Sequence, residues 1–296
     1  MKYLGYALAP LAVLITASAL ACVVGYWVVL ISGDVFPLDK VIGKIGKLFL
    51  VLSILPLMYA LKLSVRDLGF ARRPVFFRQL LQGLGLGLVT LLPVLIVLYA
   101  LGVNVIDVSG QWTPVWLFKK LLLSLLLALL ISCAEEPLFR GVLVAGLKDK
   151  LPLIAVLLIS SIYYASLHFL HSHSRFSYDE ITFFTGFVLL GEAFANVFRF
   201  DNIPPFSALL MVGVFLALLR TRIDRSLGLC IGCHTAWVWQ IKMNKALFNV
   251  DSGAEYFYLV SAYDGVIGPL VSVWLLFVIA VFWVVRKLRG AQRAHF

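Results

Sequence analysis

Glu135 and Glu136 stand side by side in Ala134-Glu135-Glu136-Pro137-Leu138-Phe139-Arg140-Gly141, directly after an apolar run from Leu121 to Ile131. Three ionisable groups within six residues, at the end of a stretch able to enter a bilayer, are costly unless paired or wetted, so they mark a functional site. On a helix Glu136 and Arg140 lie four apart and can pair, while Glu135 projects about 100° away and is free to face a cavity. A carboxylate in that position suits a general base that takes a proton from water. Pro137 removes the amide that would have reached the carbonyl of Cys133, which predicts a kink beside the pair.

Two further polar positions follow. In Tyr163-Tyr164-Ala165-Ser166-Leu167-His168, Tyr164 and His168 are one helical turn apart, so the aromatic ring can buttress the imidazole. In Gly228-Leu229-Cys230-Ile231-Gly232-Cys233-His234 the two glycines allow close contact with another helix, and His234 is placed to donate to a developing oxyanion. Each signal alone is as compatible with a buried, hydrogen-bonded packing role. His171 and His173 complete a run that zinc would suit, yet they fall in a predicted loop, and no His-Glu-x-x-His is present.

The elements that must position these residues are legible in composition. Of 296 residues 62% are hydrophobic and 14% charged, at a mean hydropathy of +0.99 and a net charge of +10. That is the composition of a polytopic membrane protein. The basic residues gather in short loops and at the C-terminus, as expected for orientation and contact with anionic lipid rather than nucleic-acid binding. Cys22, Cys133, Cys230 and Cys233 all lie in apolar stretches and read as packing residues, not as a disulfide framework. Apolar stretches fall at roughly 5–32, 48–61, 79–103, 116–147, 152–170, 181–198, 206–220, 226–244 and 265–285. The positive-inside rule is best met if 181–198 does not cross. The expectation is therefore an all-α, polytopic transmembrane helix bundle of about eight spans, with a re-entrant or interfacial helix at 181–198. The first segment is read as an uncleaved span, both termini as cytoplasmic, and the membrane, in a bacterium, as the plasma (inner) membrane. Lys119 and Lys120 then sit near the outer interface, where they can snorkel.

The ordered set Glu135-Glu136-x-x-x-Arg140, aromatic-x-x-x-His168 and His234 in a Gly-rich helix resembles the CPBP family of intramembrane endopeptidases, the CAAX prenyl protease 2, Abi and lysostaphin-resistance-like proteins. The likeness spans roughly residues 120 to 245. It implies an endopeptidase core over 116–245, preceded by N-terminal transmembrane helices in 1–115 and followed in 246–296 by an outer loop, a last span and a basic tail. It also implies that Glu135 with His168 activates water, that His234 stabilises the oxyanion, and that Glu136 and Arg140 are structural support, with Tyr164 beside them. The substrate would be a membrane-associated peptide, CAAX-type prenylated as the family name suggests, among lipid. No metal is expected; if one is used, Glu135, His168 and His234 form a recognised zinc donor set. The chain departs from the family at Val238, where an asparagine would supply a second oxyanion donor, and loss of such a donor costs about 10² to 10³ in rate. Trp237 and Thr235 are the nearby substitutes. Two other readings use the same residues: an ion- or proton-coupled transporter, against which the chain has no internal repeat, and a non-catalytic membrane scaffold, for which Val238 argues.

Overall fold

The computed structural model describes residues 2–110 and 112–293, with side chains for 4–110 and 112–285. Lys2 and the basic tail side chains Arg286, Lys287, Arg289 and Arg293, on which part of the orientation argument rests, lie outside the described side chains. In lipid every backbone amide and carbonyl must be satisfied within the chain, and the sequence answers with helices. They are α1 (Lys2–Ser32), α2 (Leu38–Leu52), α3 (Ile54–Ala60), α4 (Arg73–Ala100), α5 (Pro114–Glu136), α6 (Val144–Leu147), α7 (Leu153–His168), α8 (Thr185–Val197), α9 (Ile203–Arg222), α10 (Leu227–Leu247) and α11 (Pro269–Arg293). One short antiparallel ladder joins β1 (Asn104–Ile106) to β2 (Phe248–Val250), tying the ends of α4 and α10 together.

Prolines punctuate these helices for identifiable reasons. Pro56 has no amide for the carbonyl of Leu52, and the long apolar stretch breaks into α2 and α3 at Ser53. Pro114 opens α5, with the Thr113 hydroxyl accepting from the Trp116 amide at 3.2 Å. At Pro137 the chain does not simply kink. It widens into a π-helical stretch, Pro137–Leu143, before resuming as α6, so the missing hydrogen bond is absorbed by a wider turn.

Among the described residues five helical stretches are long and apolar enough to cross a membrane: Leu4–Ser32, Leu38–Ala60, Arg73–Ala100, Pro114–Leu147 and Phe200–Arg222. Leu153–His168, Thr185–Val197 and Pro269–Val285 are shorter apolar helices, and α10 carries His234, Gln240, Lys242 and Lys245 along 21 residues. α8, at 13 residues, extends about 20 Å, too short for a hydrocarbon core of about 30 Å. α7 and α9 run antiparallel, since Gly213 abuts Ser161 and the ring of Phe206 lies 6.1 Å from that of Phe169. The chain from 169 to 202 therefore leaves and returns at one end of the bundle. α8 is the excursion's helix, seated against α1 where the Cys22 thiol donates to the Gly186 carbonyl at 3.2 Å.

The tightest seam joins α4 and α10, which run parallel. Gly83 and Gly87 face Gly232 and Cys233, and a Cβ at Gly87 would stand 2.5 Å from the Cys233 carbonyl oxygen. A Cβ at Gly232 would collide with the Leu80 carbonyl. α5 crosses α10 antiparallel, the Trp239 indole donating to the Leu121 carbonyl at 3.2 Å. At the end opposite the ladder, Arg220 donates to the Asp67 and Leu68 carbonyls, and Leu61 meets Gly146. The basic loops at 61–72, 148–152 and 223–226 thus sit together.

Candidate active site in the helix bundle

α5, its π-helical continuation and α10 bring one carboxylate and one imidazole into contact. Glu136 is fully buried, and its Oε1 accepts from Nδ1 of His234 at 2.8 Å. The same oxygen lies 3.4 Å from Nη1 of Arg140, which is also fully buried. The guanidinium is enclosed by the Tyr164 ring, 4.4 Å from centroid to Cζ, and by the Gly213 carbonyl at 3.5 Å. Glu136 and Arg140 therefore form a packed unit behind the site, with the imidazole of His234 as its third member.

Glu135 behaves differently because the helix turns its side chain elsewhere. It is about a third exposed, it lines the cavity, and its Oε2 lies 3.9 Å from Nε2 of His234 with no hydrogen-bond partner among the described residues. His168, at the end of α7, turns Nδ1 to the Tyr164 carbonyl at 2.9 Å. A carbonyl only accepts, so Nδ1 carries a proton, and in the neutral ring Nε2 keeps a lone pair. Tyr164 packs its ring 4.7 Å from that imidazole and 6.0 Å from His234, standing between the two histidines.

A cavity of about 440 Å³ connects these groups, walled by Glu135, Tyr164, His168, His234, Trp237 and Val238 together with apolar side chains of α4, α9 and α11. It brings together Glu135, Tyr164, His168, His234 and Trp237. Glu136 and Arg140 lie behind its wall. Thr235 is not on the wall; its hydroxyl donates to the Ile231 carbonyl at 2.7 Å. Trp237 is on it, but its indole donates to the Thr90 hydroxyl at 2.8 Å. The two donors suggested as substitutes for an asparagine at Val238 thus have other acceptors.

His171 and His173 stand apart, rings 5.0 Å from one another, with His173 bonded to Asn196 on α8 at 3.2 Å. Glu192 beside them is held by the hydroxyls of Ser172 and Ser174. Among the described residues no group of three His, Cys, Asp or Glu is arranged to hold a metal ion.

The cavity also contains Thr90, Lys242, Lys245, Tyr263 and Asp264, none of which the sequence reading singled out. For the lysines a signal existed: positions 234, 238, 241, 242 and 245 share one helical face. Tyr263 and Asp264 come from the loop before α11 and have no local signature. The Asp264 carboxylate accepts from the Val266 and Ile267 amides at 3.0 and 2.6 Å. Burial pushes its carboxyl above the usual carboxylate range, against the lowering effect of those amides and of Lys245.

Compared with known protein families, residues 116–240 match the family described as Type II CAAX prenyl endopeptidase Rce1-like. The chain carries an Rce1-like domain. That domain begins in α5 and ends inside α10, so it includes Glu135, Glu136, Arg140, Tyr164, His168 and His234 and excludes Lys242, Lys245, Tyr263 and Asp264. No curated protein and no solved structure matches the chain. The Rce1-like match, with helices long and apolar enough to cross a membrane, supports an integral membrane protein whose matched domain is that of a protease family.

Proposed function

We propose that the protein is an intramembrane peptidase that cleaves a membrane-attached peptide, a CAAX-type prenylated chain being the substrate suggested by the family description. The observation that carries this reading is the placement of Glu135, His168 and His234, from three helices, on the wall of one cavity. Glu135 is the base. A water held between the Glu135 carboxylate and Nε2 of His168 gives a proton to Glu135, and the hydroxide adds to the peptide carbonyl carbon. The carbonyl oxygen becomes an oxyanion and accepts a hydrogen bond from Nε2 of His234. Because Nδ1 of His234 already donates to Glu136, a donating Nε2 makes the ring an imidazolium, with Glu136 as its counter-charge. Collapse breaks the C–N bond, and Glu135 returns its proton to the leaving amine. This route uses no metal; with each Nδ1 committed to a protein acceptor, Nε2 of His168 and of His234 is the nitrogen that would meet a metal if one were bound. By the positive-inside rule the Arg220 end faces the cytoplasm, which places both termini there and, in a bacterium, the protein in the plasma membrane.

Hydrolysis of an S-farnesylated CAAX peptide in proteoliposomes tests this. Glu135→Ala and His168→Ala should each lower the rate by about 10² to 10⁴ while leaving the protein folded, and a strong chelator should leave wild-type activity intact. Full activity in the Glu135 variant rejects the role of base; loss to the chelator with recovery on adding zinc rejects the metal-free route. A scaffold without catalysis is the second reading, favoured by Val238 and by the prior engagement of Trp237 and Thr235.

A further inference from the structure

An oxyanion at Nε2 of His234 is held better by two donors than by one, and Val238 leaves the next turn of α10 without any. Most other donors on the cavity wall are committed. The Thr90 hydroxyl donates to the Leu86 carbonyl at 2.8 Å, and the Trp237 and Trp274 indoles donate to Thr90, at 2.8 Å to its hydroxyl and 2.6 Å to its carbonyl. Lys242 lies about 12 Å along the helix from His234. The phenols of Tyr164 and Tyr263 remain, since neither hydroxyl has a hydrogen-bond partner among the described residues.

Tyr263 is exposed, and its ring packs against Phe169 and His168 at 5.4 and 6.5 Å between centroids. Tyr164 is only 2% exposed. Its ring is fixed between the His168 and His234 imidazoles, with Phe139 edge-on at 5.3 Å and the Arg140 guanidinium over its face. Packing against imidazoles needs only the ring, so a packing role leaves the hydroxyl unexplained. A phenol oxygen so deeply buried is expensive without a partner, yet this one is not sealed off; it opens on the cavity, where the charge of Glu135 acts on it.

We propose that the Tyr164 hydroxyl is the second oxyanion donor, serving beside Nε2 of His234 in the role that an asparagine at Val238 would have filled. The proposal rests on the peptidase reading above and adds a catalytic residue to it. A phenol keeps its proton at neutral pH, so it can donate in every turnover without giving the proton up. The guanidinium against the face of the ring draws electron density from it and strengthens the bond that the hydroxyl makes to an anion. The enclosing side chains hold the phenol in place before substrate arrives, which leaves no reorganisation for the moment of reaction.

Tyr164→Phe removes the oxygen alone, so the full-length variant should keep the wild-type unfolding temperature in detergent. In proteoliposomes its kcat on the S-farnesylated CAAX peptide should fall by about 10² to 10³, with KM changed by no more than about twofold. A second measurement reads the same hydrogen bond without turnover. A peptide phosphinate, whose tetrahedral anionic oxygen mimics the oxyanion, should bind Tyr164→Phe about 10²-fold more weakly than it binds the wild type. The substrate peptide itself should bind Glu135→Gln and the Glu135→Gln, Tyr164→Phe double variant alike. Native kcat and phosphinate affinity in Tyr164→Phe overturn the donor, as does a rate loss carried by KM with a lowered unfolding temperature, which is the signature of packing. The loss appearing in Tyr263→Phe and not in Tyr164→Phe moves the donor to the loop before α11 and also overturns the assignment. A wild type that cleaves the peptide no faster than Tyr164→Phe does rejects the donor and leaves the peptidase reading standing. A wild type that neither cleaves the peptide nor binds the phosphinate more tightly than the peptide rejects that reading, and the donor with it.

Discussion

Adjacent glutamates meet different fates because one helical step rotates a side chain by about 100°. Glu136 is enclosed with Arg140 and His234, whereas Glu135 reaches the cavity with an unpartnered oxygen. Their neutral variants should therefore separate. Glu136→Gln leaves Arg140 buried without a counter-charge and should destabilise by about 3 to 5 kcal/mol, seen as a lower unfolding temperature in detergent. Glu135→Gln should leave that temperature nearly unchanged while abolishing hydrolysis; the reverse pattern would exchange the two roles. Val238 supplies no donor on the wall one turn beyond His234. Val238→Asn should raise kcat, by up to about 10²-fold, if a second oxyanion donor is what the site lacks. An unchanged kcat for a folded Val238→Asn protein would mean that the oxyanion is not formed beside that position.

The rotation of α10 about its axis decides what His234 faces, and close backbone contact with α4 sets it. Gly232 is two residues before His234, and a Cβ there meets the Leu80 carbonyl. Gly232→Ala should cost about 1 to 3 kcal/mol and lower activity with it, because the helices must separate and carry the imidazole away from Glu136. A variant with native stability and rate would show that the seam does not position the site. The four-residue spacing of Gly228 and Gly232 announced a close contact, but the partner glycines on α4, Gly83 and Gly87, were not recognisable from sequence. Pro137 likewise announced a disturbed helix; that the disturbance takes the form of a π-helical stretch depends on what packs around Phe139, Arg140 and Gly141.

At the scale of the molecule, charge separates along the bundle. The loops bearing Lys62, Arg66, Arg72, Lys148, Lys150 and Arg225 meet at one end, and the ladder with Asp251 and Asp264 lies at the other. Cysteine placed singly at Lys150 or Arg225 should react with an impermeant maleimide on the opposite membrane face from cysteine at Asp251. Labelling of all three from one side would refute the orientation. The return of 169–202 to the end it left keeps the apolar stretch 181–198 from adding a crossing, a conclusion that the positive-inside argument reached from charge and that the antiparallel pairing of α7 with α9 reaches from contact.

Local periodicity by itself determined that the chain is helical and apolar, that Glu136 reaches Arg140, and that Tyr164 packs edge-on against His168, because residues four apart on a helix share one face. Tertiary structure alone decided that His234 binds Glu136 across 98 positions of sequence, that Thr90 occupies the Trp237 indole, and that Lys242, Lys245, Tyr263 and Asp264 share the cavity with Glu135. Spacing along one helix fixes which side chains share a face; which face turns inward depends on the helices that press against it, and that information is spread over the whole chain.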